Sequence, residues 1–325
     1  MTFARRSFLQ LTAALAAAAA LPKLALAIDY PTHPVRLVIG FPPGGGADLV
    51  GRIMARRLSE RLGQQVIVEN KPGAGMNVAT QMVINSAPDG YTLLWVGTSN
   101  AVNATLYQNL PFNFLRDIAP VAGLVVYPIV MEVNPSLPVK SLPEFIAFAK
   151  ANPGKISMAS FGVGTSSHLA GELFKAMTAV NLIHVPYRGG APMVNDLLGG
   201  QVEVAFDVVA NSLPHIRSGA LRALAVTTTT RLEALPDVPA IGETVPGYEA
   251  LAWTGIGVPR GTPSWIVDKL NREINAGLAD PGIKARLAEL TIAPMVSTPA
   301  EFGNYMASET EKWGKVIRAA NIKAE

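Results

Sequence analysis

The feature that most constrains the fold is an apolar strand followed by a glycine-rich loop and an amphipathic helix, repeated along the chain. Strands of this kind are predicted at residues 35–39, 66–68 and 92–96, and glycine loops follow the first two at residues 40–46 and 71–75. Alternating strands and helices form parallel sheets, because each helix carries the chain back to begin the next strand in the same direction. The pattern therefore predicts an α/β fold.

The first helix is predicted at residues 48–62, with Gly63 as its stop. Its buried face is predicted from the apolar residues at helical spacing, which are Leu49, Ile53, Leu58 and Leu62. Glycines let the backbone of the preceding loop, residues 43–48, approach a ligand closely, and the free amides of a helix start attract anions. This loop is therefore a candidate anion site, and the alternative is a flexible turn without function.

The same order of elements returns in the second half of the chain. Residues 156–160 are predicted as a strand, residues 161–167 as a glycine loop with added hydroxyl donors, and residues 168–177 as a helix. At an offset of 117 residues, residues 68–76 align with residues 185–193. At an offset of 120 residues, four residues recur: Phe41, Gly44, Leu49 and Gly51 match Phe161, Gly164, Leu169 and Gly171. These matches predict two similarly built lobes.

The remaining strands suggest how the lobes are connected. An extended piece is predicted at residues 124–133, and strands at residues 202–206, 221–226 and 251–258. The last strand is expected to return the chain to the first lobe, so that two crossings form a hinge. We predict lobe 1 from residues 28–127 and 251–325 and lobe 2 from residues 128–250, each with a mostly parallel sheet flanked by helices, and a ligand cleft between them.

The first 27 residues are predicted to be a signal peptide. Arg5 and Arg6 precede an alanine-rich apolar run at residues 9–21, and Ala25-Leu26-Ala27 fits the small residues before a cleavage site. The paired arginines favour twin-arginine export over the general secretory route, and both remain open. We expect cleavage after Ala27 and a free protein in the periplasm, since the apolar run is too short for an anchor.

Charge and cysteine content exclude several classes of function. The chain has 27 Lys plus Arg and 24 Asp plus Glu, and three of the basic residues lie in the leader, so the mature net charge is zero. No basic surface for nucleic acid is therefore expected. The chain has no cysteine, which excludes disulfides, thiolate sites and a lipoprotein anchor. No other apolar stretch is long enough to predict a membrane-spanning helix.

The sequence motifs give little support to nucleotide binding or catalysis. The glycine loop lacks the Gly-Lys-Ser/Thr of a P-loop, and Leu49 occupies the last glycine position of a dinucleotide motif, although Glu69 lies near the expected ribose acid. No G-x-S-x-G motif occurs, and we find neither metal-site spacing nor a nearby carboxylate partner among the histidines, which are His33, His168, His184 and His215. We predict no enzyme activity, metal or cofactor, with His168 a polar first-turn residue and His184 structural.

Three charged residues each allow two interpretations. Asp48 is either a helix-capping carboxylate or a partner for a ligand ammonium group. Asp207 has the same ambiguity, although its place at the carboxyl end of a strand favours the cleft. Arg188 either pairs with a distal ligand carboxylate or is a solvated loop charge.

Five motifs in order resemble the Bug receptors, the substrate-binding components of tripartite tricarboxylate transporters. The resemblance covers essentially the whole mature chain, and the motifs are at residues 40–48, 68–75, 89–94, 185–189 and 235–239. It implies a type II periplasmic-binding-protein fold and a cleft that closes on one small carboxylate, either a di- or tricarboxylate, an aromatic acid or an amino acid. It also implies a monomer that delivers this ligand to a two-component membrane permease.

The resemblance further implies that backbone amides, hydroxyls and bridging waters hold the ligand carboxylate. The ligand-binding residues it implies are Phe41, Pro43, Gly44, Gly45, Gly46, Asp48, Ser99, Asn100, Ala101, Gly164, Thr165, Ser166, His168, Tyr187, Arg188 and Asp207. Met76 departs from the family pattern, where glycine is usual, and is expected to narrow one wall of the pocket. A sensor for a membrane histidine kinase and an exported dinucleotide-dependent oxidoreductase are the alternative functions.

Overall fold

The computed structural model describes residues 29–107 and 109–324. Contacts between Cα atoms divide the chain between Thr32 and His33, and every element described below belongs to the unit that begins at His33. The predicted leader, its twin-arginine motif and the cleavage site after Ala27 lie outside the described residues.

Two sheets contain the strands of the described chain. In chain order the strands are β1 (Val35–Ile39), β2 (Val66–Asn70), β3 (Thr92–Gly97), β4 (Ile118–Tyr127), β5 (Ile129–Val133), β6 (Ser157–Ser160), β7 (Ile183–Pro186), β8 (Val204–Val208), β9 (Arg222–Val226), β10 (Ala252–Pro259) and β11 (Ala293–Pro294). The first sheet has the order β11-β4-β10-β3-β1-β2, and the second has the order β7-β6-β8-β5-β9.

The pairing within each sheet is mixed, although four strands of each sheet run in the same direction, as the prediction of mostly parallel sheets implies. β1 pairs in parallel with β2 and β3, and β6 pairs in parallel with β7 and β8. The other pairings, those made by β10, β4, β11, β5 and β9, are antiparallel. The reason lies in the crossings: β5 and β10 enter their sheets from the other sheet, and so run against the strands that the helices connect.

Helices flank both sheets. In chain order they are α1 (Gly46–Leu62), α2 (Asn77–Ile84), α3 (Thr98–Leu106), α4 (Phe114–Asp117), α5 (Leu142–Ala151), α6 (Ser166–Thr178), α7 (Gly190–Leu198), α8 (Val209–Arg217), α9 (Ser264–Ala279), α10 (Pro281–Glu289) and α11 (Pro299–Ala319). In the described part of the chain, no helix is both long enough and apolar enough to span a membrane.

The buried face of α1 differs from the predicted one. Leu58 and Leu62 are buried as predicted, but Leu49 is 41% exposed, and Val50, Gly51 and Met54 complete the buried face. Gly51 sets this face, because a Cβ at this position would collide with the Ile39 side chain of β1. The helix therefore lies close to the sheet with its glycine inward, and the apolar stripe is rotated relative to the leucine pattern.

The two lobes repeat the same plan. The strand order β2-β1-β3 in the first sheet matches β7-β6-β8 in the second, and the central strand is followed by α1 or α6. Gly171 of α6 corresponds to Gly51, since a Cβ there would collide with the Met158 side chain of β6. The glycine matches in the sequence thus mark the same helix-to-strand approach in each lobe. The residue boundaries of the lobes stay a prediction.

Two strand predictions shift in the structure. The extended piece at residues 124–133 is divided into β4 and β5, which belong to different sheets and are separated by Pro128. The strand predicted at residues 202–206 is β8, which begins at Val204 and ends at Val208. Asp207 therefore lies within the strand rather than in the loop that follows it.

A buried carboxylate ties the C-terminal helix to the strand that returns to the first sheet. Glu309 of α11 accepts hydrogen bonds at Oε2 from the indole nitrogens of Trp253 on β10, at 3.1 Å, and Trp313, at 2.7 Å. Lys312 donates to Oε1 at 3.0 Å. Glu309 is only 5% exposed, and the two tryptophans are also buried, so their indole N–H groups depend on this one carboxylate for an acceptor.

We expect Glu309→Ala to lower the free energy of unfolding by about 2–3 kcal/mol, because two buried indole N–H groups lose their acceptor. Glu309→Gln keeps one carbonyl acceptor and should cost roughly half as much. Urea unfolding followed by tryptophan fluorescence measures both effects. The matched control is Glu311→Ala on the same helix, whose exposed ion pair with Lys315 contributes little. Equal losses in the Glu309→Ala and Glu311→Ala variants would show that the indole contacts are not stabilising.

Candidate functional site

The loops that follow the parallel strands of the two sheets face each other. Because parallel strands end at the same edge, the loops after β1, β2 and β3 share one edge of the first sheet, and those after β6, β7 and β8 share one edge of the second. Gly164, in a second-sheet loop, lies against α3 of the first, since a Cβ on Gly164 would be 2.6 Å from Leu106 Cδ2 and 3.6 Å from Val102 Cγ1. The space between the two edges is the candidate cleft.

The first loop is shaped by Asp48. Its Oδ2 atom accepts hydrogen bonds from the backbone N–H of Gly44, at 3.0 Å, and from Arg52 Nε, at 2.9 Å. Its Oδ1 atom accepts from Asn70 Nδ2 at 3.1 Å. The hydrogen bond from Arg52 is the main reason that the pKa of Asp48 is lowered to about 2. These bonds support a structural role rather than a partner for a ligand ammonium group, because the carboxylate is already neutralised and occupied. It braces the loop before α1 and does not cap the first-turn amides of the helix. The predicted site residues that it holds in place are exposed: Phe41, Pro43, Gly44, Gly45 and Gly46.

Met76 lies behind the cleft wall rather than on its open face. It is 1% exposed, and its φ of 78° is a left-handed conformation that favours glycine. A Cβ on Gly40 would be only 2.7 Å from the Met76 Cβ, so the methionine packs tightly beneath the first loop. The family's usual glycine is thus replaced by a side chain that fills the space under Gly40.

In the first lobe, a chain of hydrogen bonds joins the loop after β3 to the loop after β2. The backbone N–H of Gly97 donates to Asn100 Oδ1 at 3.0 Å, and Asn100 Nδ2 donates to Thr80 Oγ1 at 2.8 Å. Thr80 in turn donates to the carbonyl oxygen of Met76 at 3.0 Å. The side chains of Asn100 and Ala101 are therefore buried supports, whereas Ser99 is half-buried and its hydroxyl has no partner among the described residues.

Histidine organises the facing loop of the second lobe. The N–H of Gly164 donates to His168 Nδ1 at 3.1 Å, so the neutral ring carries its proton on Nε2, which lies 3.6 Å from Glu172 Oε1. Glu172, one helical turn further along α6, is thus a carboxylate partner of His168. The ring of His168 stacks on His184 at a centroid distance of 3.7 Å, and His184 Nε2 lies 2.7 Å from Ser160 Oγ. Burial, followed by the electrostatic effect of the neighbouring His168, lowers the pKa of His184 to about 4.

The remaining hydroxyls of this lobe are largely engaged. Thr165 donates to the carbonyl oxygen of Gly162 at 2.7 Å and caps α6 by accepting from the N–H of His168. Ser166 is buried at the start of α6. Tyr187 donates to Asp196 Oδ2 at 2.8 Å, and burial, followed by this bond, raises the pKa of Tyr187 to about 12. These side chains set the shape of the second-lobe wall.

The surroundings of Arg188 and Glu69 bear on whether Arg188 can reach a ligand and whether Glu69 can bind a ribose. Arg188 is exposed, and no described residue forms a hydrogen bond or an ion pair with it. Its guanidinium group is thus accessible to a ligand or to solvent. Glu69 forms ion pairs with Lys71, at 3.0 Å, and Arg36, at 3.4 Å. The acid expected to bind a ribose in a dinucleotide site is therefore already paired.

Asp207 belongs to a buried acidic group that sequence reasoning missed. Asp207 and Glu132 are both 0% exposed, and Ser212 Oγ lies 2.7 Å from Glu132 Oε1 and 3.2 Å from Asp207 Oδ2. Burial raises the pKa of Asp207 to about 6, and burial, followed by the charge of Asp207, raises the pKa of Glu132 to about 8. The only signal in the sequence is an acidic residue alone within the apolar strand β5.

Two mixed sheets with glycine loops on facing edges define a two-lobed solute-binding protein. The chain belongs to the tripartite tricarboxylate transporter receptor family, because the family model described as "Tripartite tricarboxylate transporter family receptor" (TctC) matches residues 50–322. Protein BugT of Bordetella pertussis is 37% identical over 297 residues, which cover 90% of this chain and 91% of BugT. The predicted resemblance to the Bug receptors is thereby confirmed.

Solved structures confirm the fold class and relate the chain to periplasmic proteins. R. palustris Rpa4515, solved with adipate, has a TM-score of 0.81 and 35% identity, covering 90% of this chain and 99% of that one. The periplasmic binding protein BugD has a TM-score of 0.78 and 34% identity, with coverages of 91% and 100%. MatC from Rhodopseudomonas palustris, with bound malate, has a TM-score of 0.76 and 30% identity, with coverages of 89% and 100%.

Proposed function

We propose that this protein captures a small organic carboxylate in the cleft and presents it to the two-component membrane permease of a tripartite tricarboxylate transporter. The ligand class is a di- or tricarboxylate, an aromatic acid or an amino acid. Two related structures support this proposal, one with adipate and one with malate. We further propose that the protein acts as a monomer in the periplasm after cleavage behind Ala27.

The observation that carries the proposal is a set of helix starts without side-chain caps at the facing edges. α1 begins after Gly45, α3 after Gly97 and α7 after Gly189, and within the described residues no N-cap side chain accepts from the first-turn amides of these helices. Such amides lack partners within the helix and carry partial positive charge, so they favour an anion. Helices from both lobes contribute, which suits a ligand that bridges the cleft.

Bridging explains how binding is signalled to the permease. A ligand that contacts the loops of both lobes has more interactions in the closed form than in the open form, and so shifts the population toward closure. The groups best placed to contact it are the backbone amides of Gly45 and Gly46, the free hydroxyl of Ser99 and the exposed Arg188. Buried site residues such as Asp48 and Asn100 hold these loops in position.

A ligand screen tests the proposal directly. Thermal unfolding of the mature protein is followed with adipate, malate, citrate, benzoate, glutamate and NAD. We expect at least one acid to raise the unfolding temperature, because a ligand that binds only the folded state stabilises it. Stabilisation by NAD and by none of the acids would overturn the proposal in favour of a dinucleotide enzyme.

Gly46→Ala separates binding from stability at the first helix start. A Cβ at Gly46 meets no atom within 4 Å, so the methyl group projects into open space. We expect the free energy of unfolding to rise by about 0.5–1 kcal/mol, because alanine replaces glycine in a helix. Affinity for the acid found in the screen should fall by roughly tenfold, since the methyl group blocks close approach to the amides. Isothermal titration calorimetry measures the affinity.

The matched control is Gly242→Ala, which adds a methyl group at ordinary contact distance in a turn of the second lobe outside the predicted loops. It should leave affinity unchanged. Unchanged affinity in Gly46→Ala as well would contradict a ligand site at the start of α1.

A further inference from the structure

Glu132, Ser212 and Asp207 form a buried group that holds two protons. Two ionised carboxylates and one serine hydroxyl would supply only one. Ser212 has a single hydroxyl hydrogen, yet its Oγ atom is within hydrogen-bond distance of Glu132 Oε1, at 2.7 Å, and Asp207 Oδ2, at 3.2 Å. Two charged, fully buried carboxylates around one hydroxyl would leave one of the contacts without a hydrogen. One of the two acids is therefore protonated.

The proton resides on Glu132. Asp207 receives three donors, namely the N–H of Val208 at 2.7 Å, Asn211 Nδ2 at 3.3 Å and Ser212. Glu132 has only the contact with Ser212, and its Oε2 atom is buried with no hydrogen-bond partner. Charge is more stable on the acid with more donors, so Glu132 donates to Ser212, and Ser212 donates to an ionised Asp207. The pKa of Glu132, which burial raises above that of Asp207, agrees with this order.

An ionised Asp207 fixes the orientation of the neighbouring amide. A carboxylate accepts and does not donate, so Asn211 turns its Nδ2 group toward Asp207 Oδ1. The side-chain carbonyl oxygen of Asn211 is then directed away from the acid. Asn211 is exposed, and no described residue donates a hydrogen bond to its Oδ1 atom. The Oδ1 atom of Asn211 is therefore a free hydrogen-bond acceptor, and its orientation is fixed by the buried Asp207.

This acceptor lies at the cleft edge of the second sheet. Asn211 is in the first turn of α8, directly after the carboxyl end of β8, and β8 runs parallel to β6, whose following loop contains Gly164. A Cβ on Gly190, at the start of α7, would be 3.1 Å from Asn211 Nδ2. Asn211 therefore stands beside an uncapped helix start, where donors for a carboxylate and an acceptor are found together.

We propose that Asn211 is a specificity-determining residue, whose side-chain carbonyl accepts a hydrogen bond from a hydroxyl or similar donor group on the bound acid. The assignment rests on the proposed function, because it concerns the same cleft. It deepens that function by naming the ligand class: carboxylates that carry a hydrogen-bond donor close to one carboxyl group. A bare acid of the same length leaves the acceptor unpaired, and so binds less tightly.

Three acids of one carbon skeleton test the assignment by isothermal titration calorimetry. Malate carries a hydroxyl donor, succinate lacks it, and 2-methoxysuccinate keeps the oxygen but has no donor. We expect the wild-type protein to bind malate about fivefold to tenfold more tightly than the other two, as one neutral hydrogen bond allows. In Asn211→Ala this ratio should fall to within about twofold, while the affinity for succinate changes by less than about twofold.

Thermal unfolding of Asn211→Ala confirms that the variant is folded, which is expected for an exposed side chain. A purely structural role for Asn211 would weaken malate and succinate alike, and that result overturns the assignment. Equal wild-type affinities for the three acids also overturn it, as does binding of none of the three by a protein that binds another carboxylate. Binding of no carboxylate at all overturns the proposed function itself, so the two failures are distinct.

Discussion

Gly164→Val should abolish ligand binding while the protein stays folded. Gly164 has a φ of 72°, a conformation that valine adopts only with strain, and its added Cβ would be 2.6 Å from Leu106 Cδ2. Leu106 is buried, so its side chain has little room to turn aside, and we expect the second-lobe loop to move away from α3 and the loops of the two lobes to lose their alignment. We expect affinity for the ligand to fall by at least about 100-fold, since small displacements of positioned groups have large effects. Isothermal titration calorimetry measures the loss.

Two variants separate the contact between lobes from backbone strain. Gly219→Val imposes the same strain, because Gly219 has a φ of 76°, but its Cβ would meet no atom within 4 Å. Gly219 precedes β9 at the edge of the second sheet opposite the cleft, so stability should fall by about 1–2 kcal/mol with affinity unchanged. Adding Leu106→Ala to Gly164→Val makes room for the valine and should restore part of the affinity. Near-normal binding by Gly164→Val alone would contradict the cleft geometry.

Glu132→Gln should stabilise the protein at alkaline pH and have little effect under mildly acidic conditions. The glutamine amide donates to Ser212 as the protonated acid does, but it cannot ionise. The pKa of Glu132 in the folded protein is about 8, raised above its ordinary value by burial and by Asp207. The stabilising contribution of a raised carboxyl pKa is fully present below the unfolded pKa, and is lost as pH rises through the folded pKa.

Wild-type stability should therefore decline between about pH 5 and pH 8 through this residue, and the variant should not share that decline. We expect the variant to exceed the wild type by about 4–5 kcal/mol at pH 8.5 and to come within about 1 kcal/mol of it near pH 5. Urea unfolding across this range measures the difference. Glu311→Gln, at an exposed site, is the control and should follow the wild type throughout. Parallel curves for wild type and Glu132→Gln would show that Glu132 is ionised in the folded protein.

Local patterns predicted the fold well wherever neighbours in sequence are neighbours in space. The order of strand, glycine loop and helix predicted β1, α1, β6 and α6, because each of these elements depends on residues that are adjacent in the sequence. The predicted face of α1 was right at Leu58 and Leu62 and wrong at Leu49, because a glycine, rather than a leucine, contacts the sheet near the helix start. The antiparallel strands were not predicted, since their direction depends on which sheet the chain has just left.

The candidate site was less accessible to sequence reasoning, because its support comes from distant segments. The pairing of His168 with Glu172 was missed although only one helical turn separates them, since the search was for metal ligands. The contact of Glu132 with Ser212 joins β5 to α8 across 80 residues of chain, and no local spacing indicates it. Asn211 acquires its orientation from that contact, and it was therefore absent from the predicted site.

The position of β10 has a consequence for how the chain assembles. β10 lies inside the first sheet, between β3 and β4, yet it is synthesised after every strand of the second sheet. Until residue 252 is available, the first sheet remains in two separate pieces, whereas the second sheet needs only one continuous stretch, from β5 to β9. Contacts close in sequence form earlier than distant ones, so the second lobe is expected to fold first and to act as the template on which the first is completed.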